Sequence, residues 1–129
     1  MKNQSDNGSK TVVLIVEDDY TLANMYAEKF KNDGYEVLLA RDGESGFKTA
    51  TEQKPNIILL DMVLPKYHGL SLLTKLRSHP TGKNIPVIAL TNYAEQPDKK
   101  RAQELGVKNY LIKAMQSPEQ VVECVKASL

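Results

Sequence analysis

Polar side chains that could carry out chemistry follow directly after four apolar runs in this 129-residue chain. Three carboxylates at residues 17–19 follow the first run, and Asp61 follows another. The last two runs end in Thr91 and Lys113. A carboxylate beside a lysine, a hydroxyl and a divalent cation can attack phosphorus, because the cations neutralise charge on the phosphoryl oxygens. These residue types therefore predict phosphoryl-transfer chemistry, provided that the fold brings them together.

The acidic residues of this set indicate a metal site. Carboxylates that crowd together repel one another strongly, so a cation must offset their charge. Mg²⁺ suits ligands that are all oxygens, and it also binds phosphate groups. The set contains no cysteine or histidine, which argues against zinc. Taken one at a time, each residue could instead be an ordinary polar residue at a strand end.

The elements that must position these residues are short strands. Five runs rich in β-branched and aliphatic residues have the character of strands in a parallel sheet, three of them strongly enough to be buried on both faces. They lie at residues 11–16, 35–40, 56–60, 85–90 and 109–112. Their starts are 22 to 29 residues apart, which suits a repeated strand–helix unit.

Amphipathic helical patterns fill the gaps between the strands. The first ends at Gly34, the fourth opens at Pro97 and ends at Gly106, and Ser117 caps the fifth. Alternating strands and helices predict a parallel sheet with right-handed crossovers and helices on both faces. Two strand orders are common for such a sheet, and in both the functional residues lie at the carboxyl ends of the strands.

Composition excludes several classes of protein. Seventeen basic and 16 acidic residues give a net charge of +1, which argues against a strongly basic nucleic-acid binder and against an acidic disordered chain. A single cysteine, Cys124, excludes an intramolecular disulfide. We expect no membrane insertion and a cytoplasmic location, since the longest apolar run is short and no secretory signal begins the chain. The polar composition of residues 1–10 predicts a flexible leader, and the length of the chain predicts that residues 11–129 form one domain.

Four motifs together resemble the receiver domain of two-component response regulators, of the chemotaxis type. They are IVEDD at 15–19, DMVLPKYHG at 61–69, LT at 90–91 and YLIK at 110–113. The resemblance covers residues 11–129. It implies a flavodoxin-like (βα)5 fold, in which a five-stranded parallel sheet has the order 2-1-3-4-5 and five helices lie on both faces.

The resemblance implies a role for each matching residue at the phosphoryl group. Asp61 matches the phosphoacceptor, and Lys113 matches the lysine that contacts the phosphoryl group. Thr91 matches the switch hydroxyl, and Tyr110 matches the switch aromatic. Pro65 matches a proline that shapes the loop after the phosphoacceptor.

The same resemblance implies a set of ligands for Mg²⁺ or Mn²⁺. Asp18 and Asp61 would bind the ion directly, together with the backbone carbonyl of Val63. Glu17 would act through a metal-bound water. Asp19 extends the acidic cluster by one residue and has a secondary role.

The function implied by the resemblance is that of a phosphoaccepting switch rather than an enzyme. A sensor histidine kinase or phosphotransfer protein would donate the phosphoryl group to Asp61. Thr91 and Tyr110 would then remodel the face formed by helix 4, strand 5 and helix 5, which would contact a downstream target protein or form a dimer. We expect no direct nucleic-acid binding. We also expect no attached output domain, the chain being either a stand-alone receiver or an excised one.

Three alternatives stay open at this point. The first is a pseudo-receiver that acts as a constitutive protein-interaction module. The second is a metal-dependent phosphatase, although such enzymes usually carry a second Asp two residues after the nucleophile, where Val63 stands here. The third is a flavin-binding protein, although residues 17–19 would repel the flavin phosphate from the first loop.

Three positions depart from the pattern of many receivers. Ala114 follows Lys113 in place of a cis proline. We expect a cis Lys113–Ala114 bond so that Lys113 still points at Asp61, the alternative being a rearranged trans loop. Asn92 is larger than the usual residue and would narrow access to Asp61. Val63 offers no polar group to an attacking water, which predicts a long-lived phosphoryl group.

Overall fold

The computed structural model describes residues 10–64, 68–92 and 99–129. Nearly all of the predicted leader therefore lies outside the described residues. So do Pro65 and the predicted start of the fourth helix at Pro97.

Five parallel strands form one sheet. They are β1 (Val12–Val16), β2 (Glu36–Ala40), β3 (Ile57–Asp61), β4 (Val87–Thr91) and β5 (Asn109–Ile112). Their order across the sheet is β2-β1-β3-β4-β5. The predicted order 2-1-3-4-5 is confirmed, and each strand begins and ends within two residues of its predicted bounds.

Helices follow each strand along the chain. They are α1 (Tyr20–Asn32), α2 (Gly43–Gln53), α3 (Gly69–Ser78), α4 (Lys99–Glu104) and α5 (Pro118–Ala127). None of the helices in the described ranges has the length and apolar character needed to cross a bilayer.

Two apolar layers cover the sheet, one on each face. On one face, residues of α2, α3 and α4, such as Ala50, Leu72 and Ala102, pack against alternate strand residues. On the other face, α1 and α5 contribute Phe30 and Val125 among others. Every residue of β3 and β4 is buried, because both strands lie in the middle of the sheet with helices on both sides.

Helix ends follow the local sequence signals. Ser117 and Gln120 form a capping box at the start of α5, with Pro118 as the first helical residue. Gly34 and Gly106 adopt φ of +91° and +80° after α1 and α4, a left-handed conformation that glycine adopts without steric cost. Since the strands are parallel and in register, their carboxyl ends meet at one edge of the sheet.

Candidate functional site

Three carboxylates meet where β1 and β3 end. Glu17 follows β1 and Asp61 ends β3, and both residues are buried, each with an exposed fraction of 1%. Asp18 lies next to them and is exposed. One carboxylate oxygen from each of the three lies within 4.8 Å of the other two. The structure thus brings three of the predicted acidic residues into one cluster.

Lys113 lies against this cluster from the end of β5. Its Nζ is 2.7 Å from Glu17 Oε1 and 3.0 Å from Asp61 Oδ2. The contact with Asp61 is a hydrogen bond. The contact with Glu17 is a close ion pair with a buried carboxylate. Lys113 supplies the cation at this edge that the spacing predicted.

The turn that follows Lys113 differs from expectation. Every peptide bond in the described ranges is trans, so the predicted cis Lys113–Ala114 bond is wrong. Residues Lys113–Met115 form one turn of 3₁₀ helix instead, and the Lys113 carbonyl accepts a hydrogen bond from the Gln116 N–H. The chain turns away from the direction of β5 directly after Lys113. With this trans backbone the Lys113 ammonium still contacts Asp61. The alternative that we considered, a rearranged trans loop, is the one adopted.

Burial and mutual charge perturb the ionisable groups of the cluster. The pKa of Glu17 is raised to about 7, mainly by burial; the Lys113 ammonium opposes this rise and the charge of Asp61 adds to it. Burial alone would lower the pKa of Lys113, but the hydrogen bonds and charges of Glu17 and Asp61 outweigh burial, and the net shift is upward. The lysine is therefore held in its charged form by the two carboxylates.

Backbone N–H groups fix the orientation of the two buried carboxylates. The Val63 N–H donates to Asp61 Oδ1 over 2.9 Å. The Asp19 N–H donates to Glu17 Oε2 over 3.1 Å. The two oxygens of Asp61 thus have different partners, because Lys113 contacts the other one.

The Asp19 side chain lies apart from this cluster. Its Oδ1 accepts a hydrogen bond from the Leu22 N–H over 3.0 Å, which makes Asp19 the N-cap of α1. A side-chain oxygen at this position satisfies one of the free N–H groups at the start of a helix. The carboxylate therefore stabilises the helix end that follows the acidic residues.

The remaining predicted site residues lie on neighbouring elements. Thr91 ends β4 and is fully buried, one residue beyond the pairing of Leu90 with Asp61. Tyr110 lies in β5, half-buried against the apolar layer of α2, α3 and α4. Asn92 and Ala114 are exposed at the ends of β4 and β5.

Sequence reasoning missed a buried tyrosine at this site. Tyr26 of α1 is buried, and its pKa is raised by burial and by the charges of Glu17, Asp61 and Asp19. Its position in the apolar stripe of α1 made it indistinguishable from a core residue.

The donor set of the cluster fits Mg²⁺ or Mn²⁺. All of the ligand atoms that this cluster offers are oxygens, and two of its three carboxylates are buried. Hard divalent cations of this kind bind one or two carboxylates and keep several waters and phosphate oxygens as ligands. The exposed position of Asp18 leaves one side of the site open for such ligands.

Comparison with known proteins places these residues in a family context. Residues 13–126 match the family model of the response regulator receiver domain. The chain is 35% identical over 117 residues to the alkaline phosphatase synthesis transcriptional regulatory protein PhoP of Bacillus subtilis, covering 91% of this chain and 48% of PhoP. It is 32% identical over 117 residues to the polar-differentiation response regulator DivK of Brucella anthropi, covering 91% of this chain and 94% of DivK. It thus spans about half the length of PhoP.

A solved structure gives the same fold with a metal ion. The receiver domain of the sensor histidine kinase PA1611 from Pseudomonas aeruginosa PAO1 is similar with a TM-score of 0.81 and 28% identity, covering 92% of this chain and 97% of that one. In that structure a magnesium ion is coordinated in the active site cleft.

Proposed function

Since the chain belongs to the response regulator receiver domain family of two-component systems, we propose that it is a phosphoaccepting switch in which Asp61 is the phosphoacceptor. One observation carries this proposal. Asp61 is buried among two further carboxylates, and one of its oxygens contacts the Lys113 ammonium at 3.0 Å. A carboxylate in such a setting can act as a nucleophile toward phosphorus.

The proposed reaction is a transfer between two proteins. A carboxylate oxygen of Asp61 attacks the phosphorus of a phosphohistidine on a sensor histidine kinase or phosphotransfer protein. The phosphorus–nitrogen bond breaks, the electron pair stays on the histidine, and Asp61 becomes an acyl phosphate. The chain is thus a substrate that assists its own phosphorylation and dephosphorylation rather than an enzyme acting on a separate molecule.

Charge neutralisation at this site has two sources. Asp18, Asp61 and the backbone carbonyl of Val63 would bind Mg²⁺ directly, and Glu17 would do so through a water. When bound, Mg²⁺ supplies positive charge for the phosphoryl oxygens. Lys113 supplies the second positive charge, and it needs only a small movement because its ammonium already contacts Asp61.

The signal would leave the site through Thr91 and Tyr110. The Thr91 hydroxyl would donate a hydrogen bond to the new phosphoryl group, and Tyr110 would move into the space that Thr91 leaves. The face of α4, β5 and α5 would change as a result, and this face would contact a target protein or a second copy of the chain. The proposed location is the cytoplasm, with no direct role in nucleic-acid binding.

Labelling with radioactive acetyl phosphate tests this proposal. The wild-type chain should be labelled with Mg²⁺ and not with excess chelator. Asp61→Asn should abolish labelling, whereas Asp33→Asn, an exposed aspartate after α1, should label like the wild type. Label on Asp61→Asn would refute the assignment of the phosphoacceptor. A folded wild-type chain that neither labels nor binds Mg²⁺ would instead indicate a pseudo-receiver.

A further inference from the structure

One arginine on α3 binds several backbone carbonyls at the edge of the sheet opposite Asp61. The Arg77 Nε donates to the Leu105 carbonyl over 2.6 Å. One of its terminal nitrogens lies within hydrogen-bond distance of the carbonyls of Gly82, Lys83 and Ile85, at 3.1, 3.3 and 2.8 Å. A guanidinium has several N–H donors in a rigid plane, so one side chain can hold several carbonyls in a fixed arrangement.

These carbonyls belong to different parts of the fold. Leu105 is the residue after α4, where the last carbonyls of a helix lack partners within the helix. The other three lie in the segment between α3 and β4. Arg77 therefore ties the C-terminal end of α4 to α3 and to the start of β4. The same end is fixed by backbone bonds, since the Val107 N–H donates to Ala102 and the Lys108 N–H donates to Val87.

The N-terminal end of α4 is the end that lies beside Tyr110. Lys99 and Lys100 are exposed, and the Lys99 ammonium lies 5.9 Å from the ring centroid of Tyr110. This distance is near the outer limit of a cation–π contact. Ala102 is the buried residue of α4 itself. The helix thus has a firm attachment at its C-terminal end, and its other end is the one that follows Thr91 in the chain.

We propose that Arg77 is a positioning residue that makes the C-terminal end of α4 a fixed pivot, so that phosphorylation displaces the N-terminal end. This inference rests on the proposed function, because it concerns how the change at Asp61 reaches the α4 surface. Lys99 moves with the displaced end and leaves the Tyr110 ring. Because Arg77 holds the carbonyls at the C-terminal end of α4, that end stays fixed and the N-terminal end moves.

Hydrogen exchange with and without beryllium fluoride and Mg²⁺, a mimic of the phosphoryl group, tests the pivot. In the wild type, amides at 99–102 should change their exchange rate on activation while those of Leu105, Gly106 and Val107 do not. In Arg77→Met, the amides at 105–107 should exchange about tenfold faster at rest and should also change on activation. Arg77→Lys should behave like Arg77→Met, since an ammonium cannot hold all of the carbonyls at once.

A matched control is Arg101→Gln. Arg101 lies on α4, is exposed and contacts Glu104 at 3.3 Å, so its loss should leave the wild-type response at both ends of the helix. A purely structural role for Arg77 would speed exchange at 105–107 at rest but keep the activation response confined to 99–102, and that result would overturn the pivot. An equal change in exchange rate at 99–102 and at 105–107 in the wild type on activation would also overturn the pivot.

Labelling of Asp61 in the same samples separates the two proposals. Absence of label in the wild type would refute the proposed function, and the pivot with it. Label on Asp61 together with an equal response at both ends of α4 would refute the pivot alone.

Discussion

The Lys113 ammonium lies 2.7 Å from a carboxylate oxygen of Glu17, whose side chain is 1% exposed. The same ammonium contacts Asp61 at 3.0 Å, so one cation serves two buried carboxylates. A buried charge that loses its partner destabilises the folded state, because it keeps the cost of leaving water without the compensating attraction. Lys113 therefore stabilises the fold of the site besides any role in its chemistry.

Replacing Lys113 by methionine should lower the free energy of unfolding. We expect a loss of about 3 kcal/mol in excess chelator, at the low end for a broken buried pair because Glu17 can take up a proton. The measurement is urea denaturation, and added Mg²⁺ should recover part of the loss. Lys48→Met on the exposed side of α2 is the control and should change stability by no more than about 0.5 kcal/mol. Equal losses in the two variants would contradict this account.

The residue pattern predicted a parallel sheet and the strand ends that meet at the candidate site, whereas the strand order came from the resemblance to receiver domains, because the pattern alone left two orders open. In either order, the apolar runs that precede Glu17, Asp61 and Lys113 place these three residues at the same edge of a parallel sheet. The turn after Lys113 was predicted wrongly, because the cis bond came from resemblance at a position where this chain has Ala114. The contacts of Arg77 could not be predicted from the sequence, since its acceptors are backbone carbonyls that only the fold brings together.

The adjacent residues Asp18 and Asp19 should have different roles: Asp18 as a metal ligand and Asp19 as the N-cap of α1. Asp18→Asn should weaken Mg²⁺ binding by about tenfold or more, because it removes one of the charged oxygens of the cluster. Asp19→Ala should lower the free energy of unfolding by about 1 kcal/mol through loss of the N-cap, with little effect on Mg²⁺ affinity. Calorimetric titration and urea denaturation of both variants measure these effects. If Asp19→Ala weakened Mg²⁺ binding as much as Asp18→Asn, Asp19 would belong to the ligand set.

Gly69 is required by close packing at the start of α3. A Cβ atom built on Gly69 would lie 2.6 Å from Met62 Cα and 2.9 Å from the Asp61 carbonyl oxygen, so it would overlap backbone that cannot rotate away. Gly69→Ala should cost about 1–3 kcal/mol of unfolding free energy, since overpacking forces the backbone to shift. It should also slow labelling, because the shift falls on Asp61, the proposed phosphoacceptor. Ser71→Ala, at an exposed position of α3, controls for the change in helix composition. An unchanged unfolding midpoint in Gly69→Ala would argue against this packing.

Because of Val63, the acyl phosphate proposed on Asp61 should hydrolyse slowly. The backbone N–H of Val63 donates to Asp61 Oδ1, which places the residue beside the proposed phosphoacceptor, and 36% of the residue is exposed. An apolar side chain there cannot orient a water for attack on the acyl phosphate, so the phosphoryl group should persist for minutes rather than seconds. Val63→Gln adds an amide that can orient water and should speed hydrolysis several-fold. Val63→Leu keeps an apolar side chain and should not speed hydrolysis.

Release of radioactive phosphate after removal of acetyl phosphate measures the rate of hydrolysis. Loss of the label within seconds in the wild type, or equal rates in the Gln and Leu variants, would show that another group controls the attacking water.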